Sequence, residues 1–138
     1  MDRAPSDPLA LILSASPYNA MDIDMPRDCI FTIEPGFEDP KHPGKLWFCP
    51  FCNQIEGILA TFPEVAAHFA VTRLPFPRPR QPVIDLIGAD HQGLPVLVFA
   101  DAAAAPPDAK TANGYRFVDD TRRILEIVAE RSGIPAPH

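Results

Sequence analysis

Two cysteines separated by two residues, Cys49-Pro50-Phe51-Cys52, have the types and spacing to do chemistry in this chain. A thiolate can attack a disulfide sulfur and form a mixed disulfide, which a second thiol nearby then resolves. The same spacing also opens zinc sites, where two cysteines supply two of four ligands. The carrier element decides between these chemistries. Beyond the pair, Ile55, Ile58, Leu59 and Phe62 recur at i, i+3, i+4 and i+7, which is one apolar face of a helix. Pro50 suits the first helical position, because its missing N–H has no intrahelical acceptor there. The spacing therefore predicts Cys49 at the helix N-terminus and Cys52 one turn inside. The positive end of the helix dipole favours a thiolate at Cys49. Cys52 is then placed to resolve a mixed disulfide on Cys49.

The flanking segments read as a scaffold for this turn. Cys29 to Ile33 is β-branched and aromatic and closes at Pro35-Gly36, so it predicts a strand, with Cys29 a small buried residue at its start. Phe37 to Lys45, rich in Pro, Gly and charge, predicts a long loop that delivers the chain to the cysteines and can lid them. The cysteine-bearing helix stops or kinks at Phe62-Pro63. Ala70 to Leu74 predicts a second strand, and Phe76-Pro77-Arg78-Pro79-Arg80 an extended, exposed connection. Pro82 to Ile87 predicts a short helix. Leu94 to Phe99 is a continuous apolar run, as expected of a strand covered on both faces, with Pro95 at its start. Asp101 to Gly114 predicts a loop, Tyr115 to Val118 a brief strand. Asp119 or Asp120 caps a last helix whose apolar face is Ile124, Leu125, Ile127 and Val128 and which Gly133 stops. Strands alternating with helices predict an α/β fold with a mixed four-stranded sheet flanked by helices.

Composition bounds the partners. The chain has 138 residues, enough for one domain with its own core, and 46% of them are hydrophobic. A net charge of −6 speaks against a nucleic-acid surface. No stretch approaches the ~20 apolar residues of a membrane span. Residues 1–26 predict a loosely ordered tail, and 27–138 the domain. Leu9 to Leu13 is apolar, but Asp2 and Asp7 precede it, a poor secretion signal. Three cysteines cannot complete a disulfide framework, and one CxxC with a spare thiol suits a reducing compartment. A cytoplasmic location is expected. A zinc site would need two further ligands from Cys29, His42 or His68. No second CxxC and no HxxxH is present, so no metal is assigned. His42, His68 and His91 are read as isolated surface residues.

The element order, with CxxC at the start of the first helix, resembles the thioredoxin superfamily. Cys49-Pro50-Phe51-Cys52 is similar to the Cys-Pro-Tyr-Cys of glutaredoxins. Leu94-Pro95 resembles the cis proline that opens the third strand of these proteins and pairs with a bound thiol substrate. The stretch from Phe117 through Asp119, Asp120 and Leu125 is similar to the N-terminal domain of glutathione transferases, where an acidic residue opens the last helix and holds glutathione. Residues 27–135, through Pro35 to Pro40 and Pro77 to Gln81, resemble an uncharacterised bacterial thioredoxin-like family, a domain of unknown function. The resemblance implies a glutaredoxin-like thiol–disulfide oxidoreductase in which Cys49 attacks, Cys52 resolves and Pro95 keeps the partner in register. The substrate is a thiol or disulfide of glutathione or a protein. No cofactor is expected to stay bound, and glutathione is the candidate co-substrate. The residues that would receive substrate are Trp47, Phe48, Pro50, Phe51, Arg80, Gln81, Leu94, Asp119 and Asp120. Arg78 and Arg80 lie where glutaredoxins bind the glycyl carboxylate of glutathione, and Lys45 is a cation close in sequence to Cys49. The alternative is a non-catalytic thioredoxin-like module that binds a thiol ligand or protein without turnover.

Overall fold

A computed structural model describes residues 27–138. The tail expected over 1–26 lies outside the described residues. The described chain runs β1 (Asp28–Ile33), β2 (Phe37–Glu38), β3 (Leu46–Trp47), α1 (Pro50–Thr61), a 3-10 turn (Pro63–Ala67), β4 (Phe69–Leu74), α2 (Gln81–Ile87), β5 (Val96–Val98), β6 (Lys110–Ala112), β7 (Tyr115–Val118) and α3 (Thr121–Ser132). A second 3-10 turn spans Ala102–Ala104.

Five strands form one mixed sheet in the order β4-β1-β5-β7-β6. β1 and β4 are parallel, and α1 lies on the crossover between them, as a parallel pair requires. The other neighbours are antiparallel. The alternation of side chains along each strand divides the core into two layers. Ile30, Leu97 and Val118 pack with Ile55 of α1 and with Ile124, Ile127 and Val128 of α3. Phe31, Val96, Val98 and Phe117 pack with Val83, Leu86 and Ile87 of α2 on the opposite face. The apolar run ending β5 is covered on both sides, as its composition predicts.

Helix ends follow local chemistry. Asp120 caps α3 by accepting the Arg123 N–H at 2.9 Å. Gly133 ends that helix with φ +72°, a left-handed conformation that glycine adopts without a Cβ clash.

Two expectations are corrected here. The sheet has five strands, not four, because Lys110–Ala112 pairs with β7. Asn113 (φ 52°) and Gly114 (φ 83°) are both left-handed, the backbone of a two-residue hairpin turn. Ala/Pro composition hid that strand, although Asn-Gly signalled a hairpin. The stretch from Phe37 to Lys45 is also no plain loop. Phe37 pairs with Trp47 and Glu38 with Leu46, so the segment is the arm of a small hairpin.

Candidate functional site

The cysteine turn sits at one end of the sheet, the rim where β1 and β4 finish and β5 begins, called the edge below. Cys49 is the N-cap of α1, with extended backbone (φ −82°, ψ 116°), and Pro50 opens the helix. The Cys49 Sγ accepts the Cys52 backbone N–H at 3.2 Å, one of the amide donors that a helix N-terminus leaves unpaired. Cys49 keeps partial exposure, whereas Cys52 is only 2% exposed. Behind the pair, Ile33 at the end of β1 donates its N–H to the Cys52 Sγ at 3.4 Å. Burial pushes the Cys52 thiol up from 9.0 to about 12, and its hydrogen bond with Cys49 adds to the rise. The Ile33 amide and the Arg80 charge oppose it. Cys52 is therefore a protonated thiol at neutral pH, shielded behind its more accessible neighbour.

Strand register brings Pro95 to this edge. Phe31 pairs with Val96, so one further step sets Pro95 beside Thr32, next to the Ile33 that touches Cys52. Pro95 is buried and the Leu94–Pro95 bond is cis, as the resemblance implies. Leu94 packs partly buried against the α2 side of the core. Val118 pairs with Leu97, so Asp119 and Asp120 follow at the same edge, one strand beyond β5. The distance from β1 to β7 is then about 10 Å, two strand spacings. Asp119 is engaged by Lys110 at 3.0 Å, and Asp120 is spent on the α3 cap.

The other sequence-predicted residues divide into two groups. Phe48 and Phe51 flank Cys49 and are 56% and 58% exposed. Leu46, two residues upstream of Phe48, is 64% exposed and was not singled out by sequence. These three are the exposed large hydrophobic residues of the described chain. Pro50 is also exposed. Trp47 instead closes the hairpin: its Nε1 donates to the His42 carbonyl at 3.1 Å and the Lys45 ammonium lies 4.4 Å from its ring centre. Gln81 bonds Asp85 within α2 at 2.7 Å. A groove of about 490 Å³ borders the hairpin, lined by residues including Glu38, Lys45 and Leu46, and neither cysteine lines it.

The connection over residues 76–80 is exposed at Pro77, Arg78 and Pro79, as expected, and the expectation fails at Arg80. It is 6% exposed, because the chain folds back after β4 and the guanidinium turns inward onto main-chain carbonyls. Its Nε and Nη2 donate to the Phe76 carbonyl and its Nη1 to the Gln92 carbonyl at 2.7 Å. The Arg78–Pro79 bond is cis. Phe76 stacks on Phe37, centroids 4.3 Å apart, which ties the arginine loop to the hairpin leading into Cys49. The carboxylate fork expected at Arg80 is thus largely occupied from within.

The histidines and Cys29 lie apart from this constellation. His42 and His68 are exposed, while His91 is half-buried and tilts against Phe117 at 4.9 Å, so the surface assignment of His91 is corrected. Cys29 is half-buried instead of buried. Its Sγ donates to the Arg27 carbonyl at 3.6 Å, and burial raises its pKa. Among the described residues no group of three or more His, Cys, Asp or Glu side chains is assembled for a metal ion. No described helix is long and apolar enough to cross a membrane.

A family model described as Protein of unknown function (DUF3088) matches residues 27–136. The chain belongs to the DUF3088 family. That match spans both cysteines, Arg80, Pro95 and the Asp119-Asp120 pair. No curated protein and no solved structure matches the chain. Membership of DUF3088 carries no activity with it, so the chemistry rests on the site itself.

Proposed function

We propose that this DUF3088 domain is a thioredoxin-like thiol–disulfide oxidoreductase. The observation that carries the proposal is the asymmetry of the cysteine pair. Cys49 is accessible at a helix N-cap, with an amide N–H on its sulfur, and Cys52 is a buried thiol of raised pKa directly behind it. An attacking thiol needs access and stabilisation of its anion; a resolving thiol needs proximity and protection from solvent oxidants. Further support comes from the order strand, CxxC helix, strand, helix, proline-led strand, and from the arrival of Pro95 at the same edge.

In this reading the Cys49 thiolate attacks one sulfur of a substrate disulfide. A Cys49–substrate bond forms, the substrate disulfide breaks, and the departing sulfur leaves as a thiolate that takes a proton from water. Cys52 then gives its proton to solvent and attacks the Cys49 sulfur. The second substrate thiolate leaves and is protonated. The substrate disulfide has gained two electrons, and Cys49 and Cys52 have become a disulfide. Glutathione or another thiol returns the pair to its reduced form. The exposed Leu46, Phe48 and Phe51 favour a protein disulfide with apolar flanks as substrate. A reducing compartment such as the cytoplasm suits the cycle.

The test uses the full chain with an insulin-type protein disulfide and a thiol reductant. C49S abolishes turnover. C52S accumulates a mixed disulfide on Cys49, seen as a mass increase that a reductant reverses. Full turnover by C49S refutes the assignment.

A further inference from the structure

Arg80 is a buried cation without a carboxylate. Arg73 grips Glu56, Arg123 grips Asp108 and Arg131 reaches Asp28 at 2.8 Å, while Arg116, also held by carbonyls alone, is only half-buried. Among the described residues no acid lies within ion-pair distance of Arg80. Two carbonyls take three of its five N–H donors, but carbonyls are neutral, so a full positive charge stays in a desolvated place. Burying such a charge is costly unless an anion compensates it.

The geometry points to where that anion forms. β4 is parallel to β1 and ends level with Ile33, whose N–H bonds Cys52, so the loop carrying Phe76 and Arg80 leaves from the thiol edge. The guanidinium lies 5.7 Å from the Phe76 ring centre, Phe76 stacks on Phe37, and Phe37 pairs with Trp47, two residues before Cys49. Arg80 is also anchored through its backbone N–H to the Gln92 Oε1 at 2.8 Å. It is thus held still. We propose that Arg80 is the fixed counter-charge of the active-site thiolate, a positioning residue that acts through Cys49. The proposal rests on the redox reading above.

Electrostatics agree with the geometry. Burial and the neighbouring Arg78 lower the Arg80 pKa, and the charges of Cys52 and Cys49 oppose that fall. The other charges around the edge are engaged or exposed. Lys45 lies over Trp47, Arg73 is held by Glu56, Lys110 holds Asp119, Asp120 caps α3, and Arg78 and Glu34 face solvent. A cation fixed in low dielectric acts on a nearby anion more strongly than a mobile one in water.

The test is the pH profile of Cys49 alkylation by iodoacetamide in the reduced full-length protein, read by mass spectrometry at the Cys49 peptide. R80Q and R80M move the midpoint up by about one pH unit, so alkylation below the midpoint slows about tenfold. R80K keeps the charge and restores much of the wild-type profile. R122Q, an equal loss of charge on exposed α3 surface, leaves the profile unchanged. Folded R80Q and R80M with the wild-type midpoint overturn the proposal. Where neither neutral variant folds, C49S on the wild-type background decides. Without the thiolate the buried charge is uncompensated, so C49S loses more stability relative to wild type at pH 8 than at pH 5. Equal losses at both pH values overturn the proposal. Wild-type turnover with an unaltered R80Q profile removes Arg80 alone. A wild type that turns over no disulfide removes the redox reading beneath it.

Discussion

Replacement of Cys52 by serine changes how the reduced protein responds to alkali. The Cys52 thiol ordinarily ionises near 9.0, and the fold holds it up to about 12. The folded state therefore keeps a proton that the unfolded chain gives up, and stability falls as pH rises. The contribution is fully present below pH 9 and is lost progressively toward pH 12. Each unit of pH in that window costs about 1.4 kcal/mol for one proton, so the loss near about pH 10.5 is about 2 kcal/mol. Against a total stability of about 5–15 kcal/mol this is readily measured. The assay is urea unfolding of reduced wild type and C52S between pH 8 and 11. Lysines and tyrosines titrate in both proteins, so only the difference between the two curves belongs to Cys52. That difference narrows with pH as wild type loses its advantage. C49A, which removes the hydrogen-bonding neighbour, retains part of the slope, because burial is the larger cause. Parallel wild-type and C52S curves refute the view that Cys52 is a desolvated thiol in reserve.

Ile55 anchors the cysteine-bearing helix in the core at 2% exposure, and I55A lowers unfolding stability by about 2–5 kcal/mol in urea titration. D120A removes the α3 cap and lowers stability by about 1 kcal/mol, with the Tm moving by several degrees in calorimetry. The double variant F48S/F51S reduces kcat/KM for a protein disulfide by about tenfold through lost apolar contact, and leaves reaction with a small aromatic disulfide unchanged. Equal loss on both substrates speaks against a docking role for these rings.

Much of the layered fold was legible in the chain. The i, i+3, i+4, i+7 spacing of Ile55, Ile58, Leu59 and Phe62 and the first-turn Pro50 fix α1 and the place of both cysteines, because helix period and proline geometry are local. The unbroken run Val96-Leu97-Val98 requires cover on two faces, and α1 with α3 on one side and α2 on the other provide it. Asp119 or Asp120 and Gly133 mark the ends of α3 in the sequence, and the structure selects Asp120 as the cap. Short elements were less visible. β2, β3 and β6 have two or three residues each, too few for a period, and form only because a partner strand lies opposite.

The site divides along the same line. The sequence by itself determined which residues can do chemistry and which of the two thiols comes first along the helix. Tertiary structure decided that Cys52 is buried against Ile33, that Asp119 and Asp120 are engaged by Lys110 and by the α3 cap, and that the arginine of a proline-rich connection turns inward. Polarity in the sequence points Arg80 to solvent. It is buried because the Phe76 and Gln92 carbonyls, sixteen residues apart along the chain, meet around its guanidinium. Helix period and proline geometry follow from neighbours in sequence, whereas desolvation and charge compensation depend on which distant groups the fold brings together.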